Sequence, residues 1–275
     1  MKNTLILSLT RNELVYFLAV IGSKTTSGLE EDPFTDLDDR EIAEHLNSGE
    51  QSLINRGLLV INEDSATLDD TLVALVGSSV VPDATFVLTS SDPQGPQQVH
   101  YFHATAEILV EQTAPDSDTF TFTYLPDADA LRSRLEALLE PLQSPPSSDS
   151  DELDSQLSLP ADAMARFLEQ CKQADGNAAR QTLIHAGWPV DAAEQLANDC
   201  GASPSWIGFT AWNLRYGDMQ GLGPVIVLQG KDACWLIENS QDNPEMFQVR
   251  VTPATRCKKP LMALIEPLLQ IYRSD

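Results

Sequence analysis

The side chains that come nearest to a reactive centre are His100 and His103, three residues apart in Gln98-Val99-His100-Tyr101-Phe102-His103-Ala104. Two histidines on one face could hold a metal or pass a proton. This segment reads as a strand, however, and successive side chains of a strand point to opposite faces. A spacing of three therefore sends the rings apart, and both read as structural residues. His45 and His185 lie in different halves of the chain and add nothing to the pair.

The stretch Gly217-Asp218-Met219-Gln220-Gly221-Leu222-Gly223 is rich enough in glycine to cradle a phosphate, but no basic residue follows it. It precedes a strand pattern, whereas a phosphate cradle opens a helix, so it reads as a loop. Glu30-Glu31-Asp32, with Asp36, Asp38 and Asp39, concentrates carboxylates without the central Gly and closing Glu of a twelve-residue calcium loop. The serine nucleophile elbow, the H-E-x-x-H helix, the P-loop and the dinucleotide G-x-G-x-x-G are all missing. Cys171, Cys200, Cys234 and Cys257 form no C-x-x-C pair and read as buried, reduced thiols. The expectation is a chain with no catalytic residue, no metal and no cofactor.

The residues left over are apolar. Trp212, Leu214, Tyr216, Met219 and Leu222 cluster in one Gly-rich connection. Exposed aromatics and Met on a loop are common anchors for a protein partner. The same side chains could equally fold back and bury themselves.

The elements that must carry these residues come in two sets. Leu7-Ser8-Leu9 with Phe17-Leu18 recurs as Leu157-Ser158-Leu159 with Phe167-Leu168, at an offset of 150. Ala137-Leu138-Leu139-Glu140-Pro141-Leu142 recurs as Ala263-Leu264-Ile265-Glu266-Pro267-Leu268, at an offset of 126. Between them, 102–126 lies over 229–253 without a gap, and Leu109, Glu111, Phe120 and Pro126 meet Leu236, Glu238, Phe247 and Pro253. Such self-similarity decides the architecture. The Pro-, Ser- and acid-rich stretch at 144–156 cannot bury enough surface to order itself and reads as a linker. It divides a first unit, 1–143, from a second, 157–275.

Each unit reads in the same order. A helix comes first, with Leu14, Phe17, Leu18 and Ile21 on one face of 10–21, and Met164, Phe167, Leu168 and Cys171 on one face of its counterpart after Pro160. Short helices follow near 37–57, 66–77, 177–186 and 190–200. The period then changes to two. Phe120, Phe122 and Tyr124 alternate with threonines, and Phe247, Val249 and Val251 alternate with Gln248 and Arg250. Earlier strands are expected over 84–90, 98–104, 205–212 and 224–229. The apolar runs Ile108-Leu109-Val110 and Trp235-Leu236-Ile237 suit interior strands. A helix with a leucine stripe closes each unit. The expected class is α+β, two pseudo-symmetric repeats of helices, antiparallel meander and closing helix. Pairing edge to edge, they would share one central antiparallel sheet.

Charge narrows the partners. The net charge is −24, and 25 acidic against 7 basic residues in 1–150 place −18 of it in that stretch. Such a field repels nucleic acid and anionic lipid and favours basic or neutral partners. The helix running into Leu53-Ile54-Asn55-Arg56-Gly57-Leu58 looks like the start of a winged helix. Only Arg40 and Arg56 stand there among Asp36, Asp38, Asp39, Glu41, Glu44 and Glu50, so a packing or protein-contact role is expected rather than DNA binding. The apolar run Leu5 to Leu9 is too short for a signal-peptide core, and no segment approaches the roughly 18–20 apolar residues that span a bilayer. A cytoplasmic protein is expected.

Two short motifs in this order resemble the EspG-type chaperones of type VII secretion. One is an opening "L-x-x-x-E-L" helix, Leu9 to Leu14 with Glu13. The other is a later "L-x-x-R-G-L" turn, Leu53 to Leu58. The second unit lacks the Arg-Gly turn over Ala179 to Trp188. The resemblance implies a cytosolic protein of two pseudo-symmetric halves around a central antiparallel sheet, with flanking helical bundles. It implies that the chain binds the exposed end of a PE–PPE substrate pair and keeps it soluble. The function expected is therefore a non-enzymatic protein-binding protein, a secretion chaperone for a helical substrate. An acidic regulator or immunity-type inhibitor of a basic target stands as the alternative. An enzyme with its site between the halves is a third reading.

Overall fold

Thr10 is where the first strand hands over to the first helix. Its hydroxyl accepts from the Glu13 amide at 3.3 Å, and the Glu13 carboxylate accepts from the Thr10 amide at 2.8 Å. This capping box satisfies two amides that a bare helix end would leave open. In the computed structural model the residues described are 5–29, 33–35, 37–63, 65–91, 96–140, 157–173, 175–201, 205–213, 220–230, 234–240, 242–243, 245–252 and 261–263. The expected linker 144–156 and Cys257 lie outside them.

The first half runs β1 (Ile6–Thr10), α1 (Arg11–Val20), α2 (Asp39–Asn55), β2 (Leu59–Asn62), β3 (Ser65–Leu68) and α3 (Asp70–Val80). It continues with β4 (Ala84–Ser91), β5 (Gln98–Ala104), β6 (Leu109–Thr113), β7 (Thr119–Leu125) and α4 (Ala128–Leu138). The second half runs β8 (Leu157–Pro160), α5 (Ala161–Lys172), α6 (Gly176–His185) and α7 (Val190–Gly201). Then come β9 (Ser205–Asn213), β10 (Gln220–Gln229), β11 (Cys234–Asn239) and β12 (Met246–Thr252). Residues 261–263 are helical.

One antiparallel sheet of ten strands, in the order β1-β7-β6-β5-β4-β9-β10-β11-β12-β8, runs through both halves. The α+β class with a shared central sheet is what the structure shows. Each half supplies five neighbouring strands, and the halves meet at β4 and β9. The outermost pairs use corresponding positions, Leu9 facing Phe120 at one edge and Leu159 facing Phe247 at the other.

Three local readings needed correction. The helix expected at 66–77 starts only at Asp70, because Ser65–Leu68 pairs with β2 as a hairpin and Asp69 caps the helix through the Thr71 amide at 2.9 Å. The glycine-rich stretch is not all loop, since Gly221 and Leu222 pair with Trp212 and Ala211 inside β10. Beyond Leu222 the register shifts before Val225, and Gly223 has φ +101, a conformation that favours glycine. The second half also has its glycine turn. Leu58 and Gly57 amides bond back to Leu53 and Ile54, and Trp188 and Gly187 amides bond back to Leu183 and Ile184. Both glycines have positive φ, and only the arginine is missing.

The sheet has helices on both faces. On one, Leu131, Leu135 and Leu139 from α4 and the turn after it, with Leu261, cover Phe86, Phe102 and Phe209. Phe86 stacks on Phe102 at 4.4 Å and on Phe209 at 4.8 Å, so one ring links strands of both halves. On the opposite face, α1, α2 and α3 pack Leu14, Phe17, Leu53 and Leu72 over Phe120 and Phe122. There too, α5, α6 and α7 pack Phe167, Leu183 and Leu196 over Trp235, Ile237 and Val249. Gly49 lets α2 cross α1, since a Cβ there would overlap the Asn12 carbonyl.

The α4 face also buries a charge. Glu111 is 4% exposed and accepts from Arg134 Nε at 2.8 Å, with His100 Nδ1 2.7 Å away. Burial alone would push its carboxyl up, but the bonds from His100 and Arg134 outweigh this and hold it below the ordinary value. A carboxyl lowered in the folded state adds stability above its unfolded pKa and loses it as pH falls through the folded value. Glu111→Gln is expected to cost about 3 kcal/mol at neutral pH. In urea titrations at stepped pH, the gap from the parent should close below the usual carboxylate range.

Candidate partner-binding surface

Register places the part of the sheet that the described helices leave uncovered. Val99 on β5, Thr89 on β4, Gly208 on β9 and Ile226 on β10 lie side by side, and the row continues through Ile237 and Val249 under the second bundle. Tyr101, Val87 and Thr210 form the next row, which continues through Gln112 and Phe122 under the first bundle. Both bundles therefore stand on the same face, and β5, β4 and β9 form a floor between them. Val87, Thr89, Tyr101, Gly208, Thr210 and Trp212 are all only half-buried.

The floor is held at both sides. On the first-half side the Ser27 carbonyl accepts from Gln112 Nε2, leaving Gln112 Oε1 to accept from His103 Nε2 at 3.1 Å. His103 Nδ1 then accepts from the Thr85 hydroxyl at 3.0 Å. This order requires a neutral imidazole protonated on Nε2, and burial does push His103 down to about 4. His100 points to the other face, so the two histidines share no ligand. Gly28, at φ +73, brings its loop against the Tyr101 ring. On the second-half side Trp206 leans over Gly208, where a Cβ would sit 3.1 Å from the indole.

Of the five expected anchors, only Trp212 can be placed on this floor, and it lies in β9 rather than in a loop, opposite Thr85. Leu222 is also a strand residue, opposite Ala211. Leu214, Tyr216 and Met219 lie outside the described residues. The alternation of β4 and β5 marks the half-exposed positions Val87, Thr89 and Tyr101, but sequence alone does not say which strands the helices leave uncovered.

The two motif residues that sequence treats separately meet in space. Arg56 Nη1 donates to Glu13 at 2.7 Å, and Ser52 Oγ donates to the other carboxylate oxygen at 2.7 Å. Burial would raise the Glu13 carboxyl, yet the bonds from Ser52, Thr10 and Arg56 lower it overall. Arg40 is paired with Glu44 at 2.9 Å, so both cations of the winged-helix-like region face carboxylates. That is unsuited to a phosphate backbone. Among the described residues no group of His, Cys, Asp or Glu could hold a metal, and no helix is long and apolar enough to cross a membrane.

Three adjacent strands are about 10 Å across, at roughly 4.8 Å per spacing. That matches the diameter of a helix, about 10–12 Å with side chains. The floor offers aromatic, aliphatic and hydroxyl groups between helical walls.

The chain is similar to the Mycobacterium tuberculosis type VII secretion system chaperone EspG5, solved in complex with the PE25–PPE41 dimer, with a TM-score of 0.61 over 95% of this chain and 96% of that one. Identity is only 10%, so the likeness is one of fold. No family model and no curated protein matches the sequence.

Neighbouring residues test whether the floor is uncovered. Phe209 is 1% exposed on the α4 face, and Phe209→Ala should cost about 3–5 kcal/mol. Thr210→Lys, one residue on and facing the floor, should change stability by less than about 1 kcal/mol. Urea unfolding of both variants makes the comparison.

Proposed function

We propose that this protein is a non-enzymatic chaperone that holds a helical secreted protein on the floor formed by β5, β4 and β9. The observation that carries this reading is the central sheet that the described helices leave uncovered between two helical bundles. The likeness to EspG5, a chaperone solved with a bound protein dimer, supports it. Trp212 and Tyr101 are the aromatic anchors of the contact, and Val87, Thr89 and Thr210 are the surface around them. A substrate laid between the bundles would hide its own apolar surface, which is how a chaperone keeps it soluble.

Co-expression with small helical proteins encoded beside this gene, followed by light scattering on a sizing column, tests the reading. A stoichiometric complex is expected, surviving from about 0.1 to 1 M salt, over which the screening length falls from about 10 to 3 Å. Val87→Lys with Thr210→Lys should abolish it, and Arg40→Glu, away from the floor, should leave it intact. Recovery of the protein alone with every such candidate would sink the proposal. A complex lost at high salt and indifferent to the floor variants would favour the acidic inhibitor instead.

A further inference from the structure

A sheet of ten strands has two edges, β1 and β8, and each presents backbone groups that could pair with another strand. The direction of those groups follows from the ladder. The Leu5 carbonyl accepts from the Tyr124 amide, and the Arg11 amide donates to Asp118, so odd-numbered residues of β1 face β7. Ile6, Ser8 and Thr10 therefore turn their backbone groups outward. At the other edge the Ala161 amide donates to the Glu245 carbonyl, which turns Ser158 and Pro160 outward.

The outward groups are occupied at corresponding positions by different chemistry. Arg56 Nη2 donates to the Ser8 carbonyl at 2.8 Å, and Trp188 Nε1 donates to the Ser158 carbonyl at 2.8 Å. The Thr10 amide is bound by Glu13, and its counterpart Pro160 has no amide to offer. Both donors stand beside the glycine turn that ends the second helix of their half, α2 or α6. The first-half guard covers only part of its strand. Ile6 is 59% exposed and Leu5 44%, beside an uncharged run, Leu5-Ile6-Leu7-Ser8-Leu9, of the kind that pairs with itself.

We infer that Arg56 and Trp188 are edge guards that keep the sheet from extending, and that the surface Arg56 closes is a self-association site for β1 of a second copy. Antiparallel pairing of two β1 strands would set the apolar run against itself, and the Arg56 guanidinium over Ser8 is what interrupts it. The edge at β8 is closed more firmly, because Pro160 would still lack an amide without Trp188.

The test uses the full chain with Glu13→Gln and Arg56→Met together, which removes the guard without leaving a buried charge unpaired. Light scattering should show a concentration-dependent rise from one copy to two, with near-ultraviolet circular dichroism unchanged. Adding Ile6→Lys should return the mass to one copy. Trp188→Phe, which deletes the indole donor while keeping an aromatic ring in the core, should remain monomeric. A guardless protein that stays monomeric at all concentrations would overturn the inference. So would association that persists with Ile6→Lys, or that appears only as the dichroism collapses.

Discussion

The rest of the molecule depends on the ladder between β4 and β9. It runs from Ala84 opposite Asn213 to Ser91 opposite Trp206, and it is where the two five-strand sets join. Without it each half would expose a strand edge in the middle of the protein and a cut face of aromatic core. With it, Phe86 can stack on both Phe102 and Phe209. The same ladder sets the two bundles three strands apart. The floor is therefore a consequence of how the halves join, and no loop has to build it.

Much of this architecture is legible in the sequence. Alternation at 98–104 and 119–125 defines β5 and β7 because one face of each strand is buried more than the other. Thr10 marks the start of α1, its hydroxyl meeting the Glu13 amide, whereas the Asp69 cap of α3 lies inside the stretch expected to be helical from 66. Less legible are β1 and β8, short apolar segments whose partners β7 and β12 lie more than 80 residues away in sequence. Nothing local marks such a segment as an edge strand. The β2–β3 hairpin hides for a related reason, since Ser65–Leu68 is too short to show a period.

The candidate surface was less legible than the fold. Trp212 was visible as an aromatic beside glycines, but its place on a strand depends on pairing with Thr85, far away in the chain. Glu13 and Arg56 each sit in a recognisable motif, yet their contact spans 43 positions and needs α2 to cross α1 at Gly49. The reading that His100 and His103 diverge needed only strand geometry. Their partners, Glu111 and Gln112, are adjacent on β6 and so face opposite ways themselves. One turn of alternation on each strand thus separates an ion-paired network on one face from a neutral one on the other.

That separation bears on what the floor can bind. The −24 net charge would suggest ionic recognition, but the described floor positions, Val87, Thr89, Tyr101, Gly208, Thr210 and Trp212, include no ionisable group except a tyrosine whose titration burial pushes upward. The histidine at its side is held neutral. Charge around such a floor can steer or repel a partner at long range, while the contact energy comes from apolar area removed from water. On the proposed function, a neutral surface inside an acidic protein would separate two tasks: the field would keep copies apart in solution, and the floor would select by shape.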